Sequence, residues 1–173
     1  MTLHRLWRAQ VLQRPRREVF AFFEDATNLA LITPPFLRFE MLTKPPIAMG
    51  KGTIIDYRIR LFGVPLRWRS EIIHYVRGEH FIDLQIRGPY RLWRHTHTFR
   101  DVPGGTLMLD EVAYSIGFGP LGALAHRMFV RRTLAGIFDY RAEVVARLFD
   151  GSRATPDPAL SLSLARERGG RFA

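Results

Sequence analysis

From Gly52 to Gly117 apolar and polar residues alternate with a period of two, the pattern of half-buried β-strands. Three runs, Thr53 to Leu61, Leu66 to Val76 and His80 to Arg87, are separated by Gly63-Val64-Pro65, Arg77-Gly78 and Gly88-Pro89, which are turn sequences. A fourth, Trp93 to Phe99, meets a fifth, Met108 to Tyr114, across Asp101-Val102-Pro103-Gly104-Gly105, and this predicts a hairpin. At Gly117-Phe118-Gly119-Pro120 the strands stop. From Leu121 to Phe149 the period lengthens: Leu121, Leu124, Ala125, Met128, Leu134, Ile137, Phe138, Val145 and Leu148 follow the three-and-four spacing of one long amphipathic helix.

Upstream, His4 to Leu12 reads as a first strand. Pro15 suits the first turn of a helix, with Glu18 near its positive end and Val19, Phe20, Phe22 and Phe23 on its apolar side. A second short helix over Ala26 to Ile32 must end before Pro34-Pro35. Phe36 to Leu42 reads as strand, and Lys44-Pro45-Pro46 breaks it. Strands grouped in sequence with helices set apart make an α+β protein. One long helix covers only part of a curved sheet, so a cavity is expected between them. Residues 1–150 form one domain in this reading. Residues 151–173, rich in Arg, Ser, Pro and Gly, form a disordered basic tail with too little apolar surface to order itself.

Alternate residues of a strand share a face. Trp93, His95, His97 and Phe99 therefore point one way, and Met108, Asp110, Val112 and Tyr114 share a face of the next strand. If Asp101 pairs with Thr106, Phe99 faces Met108, His97 faces Asp110, His95 faces Val112 and Trp93 faces Tyr114. Opposed side chains have Cβ atoms about 4.5–5.5 Å apart. A histidine against a carboxylate, framed by aromatics, has the makings of a polar pocket floor.

The 173 residues, 47% hydrophobic, suffice for one core. There is no cysteine, hence no disulfide frame and no thiolate chemistry. The Arg-studded segment Met1 to Phe20 lacks the apolar run of a signal peptide, and no stretch approaches the roughly 20 apolar residues of a membrane span. The chain reads as cytoplasmic. Its net charge of +10 suggests nucleic acid, but Lys44 and Lys51 are the only lysines and the 24 arginines are spread throughout. Many alternate with apolar residues, as in Arg58-Ile59-Arg60 and Arg67-Trp68-Arg69, and no nucleic-acid-binding motif is present. No specific nucleic-acid partner is expected.

The element order, with Phe81-x-Asp83-x-Gln85-x-x-Gly88-Pro89-Tyr90-x-x-Trp93-x-His95-x-His97-x-Phe99, Asp110-x-Val112-x-Tyr114 and Ile137-Phe138-x-Tyr140-Arg141, resembles a bacterial ligand-binding subgroup of the SRPBCC superfamily (START, Bet v 1, polyketide cyclase). The resemblance covers about residues 3 to 149. It implies a helix-grip fold: a curved antiparallel sheet around a long C-terminal helix, with two short helices after the first strand. It also implies that the face of Asp110, Val112 and Tyr114 lines the cavity. Relatives bind lipids, sterols, quinones, hormones and polyketides, and some are cyclases, dehydratases or hydrolases. Similar domains occur fused to sugar-nucleotide epimerase-like domains, and these 173 residues contain none.

By parity Trp93, His95, His97 and Phe99 then point inward. With Gly88 to Leu92 as the preceding loop, Gln85 opposes His95 and Asp83 opposes His97, giving a ladder Asp83, His97, Asp110. Ile82, Leu84 and Ile86 fall outside, with Leu107 and Leu109 nearby, as an apolar exterior. The opposite parity would bury those residues and expose the histidines. Trp93 and Phe99, on the histidines' side, favour the polar-inward arrangement. The expected ligand contacts are Asp83, Gln85, Trp93, His95, His97, Phe99, Asp110 and Tyr114, with Tyr57 and Trp68 on the wall.

His97 and Asp110 are also the candidate catalytic pair, since an imidazole between carboxylates can hold or deliver a proton. Ser70 and Ser115 are nearby hydroxyls outside any nucleophile motif. His95-x-His97 could ligate zinc with Asp83 or Asp110. The other histidines fall less well into place: His74 by parity only, with His4, His80 and His126 at the surface. No metal and no cofactor is assigned. Arg127, Arg131 and Arg132 offer a basic rim for an anionic head group or transient membrane contact, or a plain solvated face. The reading is a binder of a hydrophobic small molecule, such as a lipid, isoprenoid, quinone or polyketide. Its rivals are a cofactor-independent cyclase or hydratase, and an interaction module or homodimer working through the outer sheet.

Overall fold

The computed structural model describes residues 2–150 except 62, 118, 120, 121 and 123–125. The expected tail and the helix positions Leu121, Leu124 and Ala125 lie outside the described residues. The elements run β1 (His4–Leu12), α1 (Arg16–Glu24), a 3₁₀ turn (Ala26–Asn28), α2 (Leu29–Ile32), a second 3₁₀ turn (Pro35–Leu37), β2 (Glu40–Met41), β3 (Ile54–Leu61), β4 (Val64–Val76), β5 (His80–Arg87), β6 (Leu92–Val102), β7 (Gly105–Ser115), a π-helical segment (His126–Val130) and α3 (Arg131–Asp150). The seven strands form one antiparallel sheet in the order β1-β7-β6-β5-β4-β3-β2. The first strand thus docks beside the last, with His4 opposite Tyr114 and Leu12 opposite Thr106.

The Pro103-Gly104-Gly105 turn sets the β6/β7 register as expected, from Asp101↔Thr106 through His97↔Asp110 to Trp93↔Tyr114. Gly104 takes φ 86°, where a side chain would be strained. At Gly105 a Cβ would lie 2.0 Å from the Leu12 carbonyl oxygen, so only glycine lets β1 close on the hairpin.

Four local expectations need correction. Phe36 to Leu42 is mostly not strand: Pro34-Pro35 propagates a 3₁₀ turn, Arg38 is left-handed (φ 45°), and pairing is confined to Glu40–Met41. The β5/β6 register is offset by two residues, with Asp83 opposite His95 and Phe81 opposite His97. Its pairing ends at Leu84↔Arg94, because the connection is wider than assumed. A β-bulge between Ile72 and His74 breaks the alternation of β4, so His74 is exposed and stacks on His80 (4.8 Å between rings), away from the cavity. On the C-terminal helix Met128 and Leu148 are exposed: Met128 lies in the π turn, whose wider period breaks phase with α3, and Leu148 lies in the last turn of α3.

The inner face of the sheet carries two apolar clusters. One joins Phe20, Phe23, Phe81 and Phe99 to Val144 and Val145 of α3; the other joins Trp68, Trp93, Val112 and Tyr114 to Leu134 and Phe138. On the outer face Ile82, Leu107 and Leu109 are at most 9% exposed, Ala9 and Val102 pack with the two leucines, and Leu84 is half-buried. The apolar exterior is therefore narrower than the alternation suggests, although Val11 and Ile86 remain exposed there. No helix among the described residues is long and apolar enough to cross a membrane.

Candidate functional site

Between the two apolar clusters lies a polar one. It uses positions whose inward direction follows from strand parity: Asp83 on β5, His95 and His97 on β6, and Asp110 on β7. His95 and His97 are 5% and 4% exposed, and their rings lie 3.8 Å apart. Asp110 Oδ1 accepts from His95 Nε2 at 3.0 Å and lies 2.9 Å from His97 Nδ1. That second approach is off the hydrogen-bond direction, so His97 Nδ1 is held by charge and not by an aligned bond. Asp83 Oδ2 lies 3.3 Å from His97 Nε2 and 3.6 Å from His95 Nδ1. Each imidazole thus bridges both carboxylates. The two-residue register offset does not spoil this, since Asp83 meets His95 directly and His97 diagonally.

Ser70 donates to Asp83 Oδ1 at 3.3 Å and accepts from Trp68 Nε1 at 3.1 Å. Above the floor, Arg141 of α3 packs against the rings of Phe23 (5.3 Å) and Phe138 (5.9 Å). Its Nε is 3.9 Å from Asp110 Oδ2 and has no hydrogen-bond partner among the described residues.

These contacts divide the charge. Burial opposes ionisation of Asp110, but Arg141 and the two imidazoles overcome it and hold the carboxyl well below the usual range. Burial likewise opposes ionisation of Asp83, and the His97 hydrogen bond with the nearby imidazoles outweighs it. For His95, burial and the neighbouring His97 charge push the imidazole down to about 4. For His97, burial is outweighed by the two carboxylates and the affinity for a proton rises. Of the two imidazoles, His97 is therefore the one that takes a proton more readily, between two carboxylates whose ionised forms are favoured. Burial also raises the Tyr57 phenol well above its ordinary value, so that hydroxyl stays protonated.

A cavity of about 190 Å³ opens above this floor. Of the residues expected to contact a ligand, Asp83, His95, His97, Trp93, Tyr57 and Trp68 line it. Four others stand elsewhere. Asp110 lies behind the imidazoles, bordering a small void with Arg8 and Gln10. Phe99 is 1% exposed between Phe20 and Phe23, inside the core. Tyr114 is 3% exposed beside Trp93 and Tyr90. Gln85 closes the β5/β6 loop, donating to the Tyr90 carbonyl at 2.7 Å and accepting from its N–H at 3.3 Å. That use of Gln85 brings Tyr90 to the cavity wall.

Arg141 was not among the expected site residues. The signal was present: Leu134, Ile137, Phe138 and Arg141 stand at i, i+3, i+4 and i+7, which places an arginine in an apolar helix stripe. All four line the cavity. Arg131 and Arg132 are exposed on the solvent side. Asp83, His95 and His97 each aim one potential metal-ligand atom at a common point, all within 4.8 Å of one another.

A curved antiparallel sheet closed by a long C-terminal helix, with a cavity and a buried polar floor between them, defines a helix-grip protein. The chain belongs to the polyketide cyclase/dehydrase and lipid transport family, whose profile matches residues 12–137, within the SRPBCC superfamily. A comparison with curated proteins finds no match. Among solved structures, protein CV1439 from Chromobacterium violaceum is similar at 16% identity and TM-score 0.63, over 85% of this chain and 96% of that one. The Zhui aromatase/cyclase from Streptomyces sp. R1128 is similar at 12% identity and TM-score 0.61, over 88% and 100%. A nucleoside-diphosphate sugar epimerase from Corynebacterium glutamicum is similar at 25% identity and TM-score 0.58, over 82% of this chain and 28% of that one.

Proposed function

We propose that the protein binds a small hydrophobic molecule with one polar end. The cavity carries this reading. Its walls are largely apolar and aromatic (Phe23, Ile55, Tyr57, Trp68, Tyr90 and Leu134 among them), and Asp83, His95, His97 and Arg141 form a charged cluster on the floor, while Asp25, Asn28, Thr33 and Thr133 also border the cavity. Such a division orients a ligand: the walls take the body, and convergent polar groups fix one end. An apolar cavity of 150 Å³ accommodates benzene, so about 190 Å³ suits a skeleton of one or two rings or a short isoprenoid chain. Family membership supports a ligand-binding or polyketide-cyclase role.

The test is titration with 1-naphthoic acid, a two-ring body with one anionic end, followed by Trp68 and Trp93 emission. Saturable one-site binding is expected. It should disappear in Leu134→Trp, which fills the cavity from α3, while the folded circular dichroism signal persists. Absence of saturable binding across aromatic and isoprenoid acids of similar size, or binding unaffected by Leu134→Trp, refutes the reading.

One observation favours a second reading, a cyclase or hydratase. His97 presents Nε2 on the cavity side and has Asp110 behind it, the layout of a general acid–base held by a carboxylate. Turnover of a poly-β-keto thioester that falls with His97→Gln while naphthoate binding persists would establish it over a simple carrier.

A further inference from the structure

We infer that Asp83, His95 and His97 form a binding site for one divalent transition-metal ion, with Asp110 as its outer support and an open coordination position facing the cavity. Asp110 sits behind both imidazoles, against His95 Nε2 (3.0 Å) and His97 Nδ1 (2.9 Å). The opposite nitrogens, His95 Nδ1 and His97 Nε2, both turn toward Asp83 Oδ2, at 3.6 and 3.3 Å. With both imidazoles neutral, these are three electron-pair donors facing one another, and a metal ion would displace any proton held at His97 Nε2.

Distances agree. Ligand bonds of 2.0–2.1 Å in a tetrahedral site separate the donors by about 3.3–3.4 Å. The two separations to Asp83 are close to that, and the two imidazole nitrogens lie within 4.8 Å of each other. A carboxylate behind a ligating histidine fixes ring orientation and makes the imidazole a better donor. Here Asp110 stands behind both histidines, in a hydrogen bond with His95 Nε2 and in a charge contact with His97 Nδ1.

The donor set selects the metal class. Two imidazoles and one carboxylate suit Zn²⁺, Fe²⁺ or Co²⁺, whereas Mg²⁺ and Ca²⁺ prefer all-oxygen shells. Three protein ligands leave a position for water or a ligand atom. The three donor residues line the cavity and Asp110 does not, so that position opens where the polar end of a bound molecule would lie. A third histidine, whose absence weighed against a metal in the sequence, is not required once Asp83 stands opposite His95.

The site occupies the floor of the cavity invoked above but does not depend on a hydrophobic ligand. The test uses the full chain, stripped with chelator, desalted and titrated calorimetrically with ZnSO₄ alone. Elemental analysis follows gel filtration, and Co²⁺ absorption reports the coordination geometry. One equivalent of Zn²⁺ is expected, with a four- or five-coordinate Co²⁺ spectrum. His95→Gln and His97→Gln should each weaken binding at least about 100-fold, and Asp110→Asn about 10- to 100-fold. The double variant His74→Ala with His80→Ala, a stacked pair away from the cavity, should bind as the wild type. Zn²⁺ should raise the melting temperature of the wild type and not that of folded His95→Gln, so a variant of altered stability still reports on the site.

Substoichiometric uptake by the wild type, or one equivalent retained when His95 and His97 are both replaced, overturns the inference. Normal naphthoate binding by a protein that takes up no metal would leave the proposed function standing and this site disproved. The reverse result would separate them the other way.

Discussion

The two floor carboxylates are not equivalent, and Asp110→Asn against Asp83→Asn measures the difference. The Asp110 side chain is 9% exposed, sits off the main cavity, and is the common partner of His95, His97 and Arg141. An amide of the same shape removes the charge that faces the His97 imidazole and the Arg141 guanidinium. With its oxygen kept toward the imidazoles, its NH₂ faces the Arg141 guanidinium, itself a donor. Breaking a buried ion pair from one side costs about 3–5 kcal/mol. The Asp83 side chain is 16% exposed, lines the cavity, and is also served by the Ser70 hydroxyl. Cavity water can reach the groups that Asp83→Asn leaves behind, so the cost should stay near the roughly 1–3 kcal/mol of one unmet buried hydrogen bond. At about 2–4 °C per kcal/mol for a chain of this size, Asp110→Asn should lower the melting temperature by about 6–20 °C and Asp83→Asn by about half as much or less. The assay is paired thermal and urea unfolding at neutral pH with chelator present. Equal losses, or a near-neutral Asp110→Asn, would refute the division into a dry rear carboxylate and a wet front one.

Phe99→Ala should cost about 3–5 kcal/mol in urea unfolding without changing zinc or naphthoate binding, because the ring is 1% exposed in the core and off the cavity. Gly105→Ala should cost more than about 1 kcal/mol, seen as a lower denaturation midpoint, since its Cβ would meet the Leu12 carbonyl carbon and oxygen. Arg141→Met keeps the stem between Phe23 and Phe138 but removes the charge; naphthoate should bind more weakly while neutral naphthalene is unaffected, and equal loss for both would assign Arg141 a packing role only. The Asp56 carboxyl is lowered by its hydrogen bonds from Arg69, so its stabilising contribution is present above its unfolded value near 3.9 and is lost as pH falls through the depressed folded value. The stability gap between wild type and Arg69→Gln should therefore close in acid, and a gap that widened there would contradict the assignment.

Side-chain direction is a local property, and the sequence alone determined it well. Alternation fixes which residues of a strand share a face, so the inward set Trp93, His95, His97, Phe99 and Asp110 followed from parity once the aromatics chose the side. The β6/β7 register followed as well, because a Pro-Gly-Gly turn ties adjacent strands within a few residues. What spans longer separations needed the tertiary structure. The β5/β6 offset depends on how Gln85 and Tyr90 close their loop, and a slip of two residues preserves parity, so no hydrophobic pattern could reveal it. The bulge that turns His74 outward inserts one residue into an otherwise unbroken alternation. Proline stiffness after Ile32 replaced most of an expected strand by a turn. Arg141 reads as one polar residue in a helical stripe until packing sets α3 over the sheet and its guanidinium beside Asp110, 31 positions earlier in the chain. The convergence of three donor atoms on one point belongs to the same class. Sequence names the residues and their side, but the distances between them are set by pairing, twist and loop closure, which are properties of the assembled sheet.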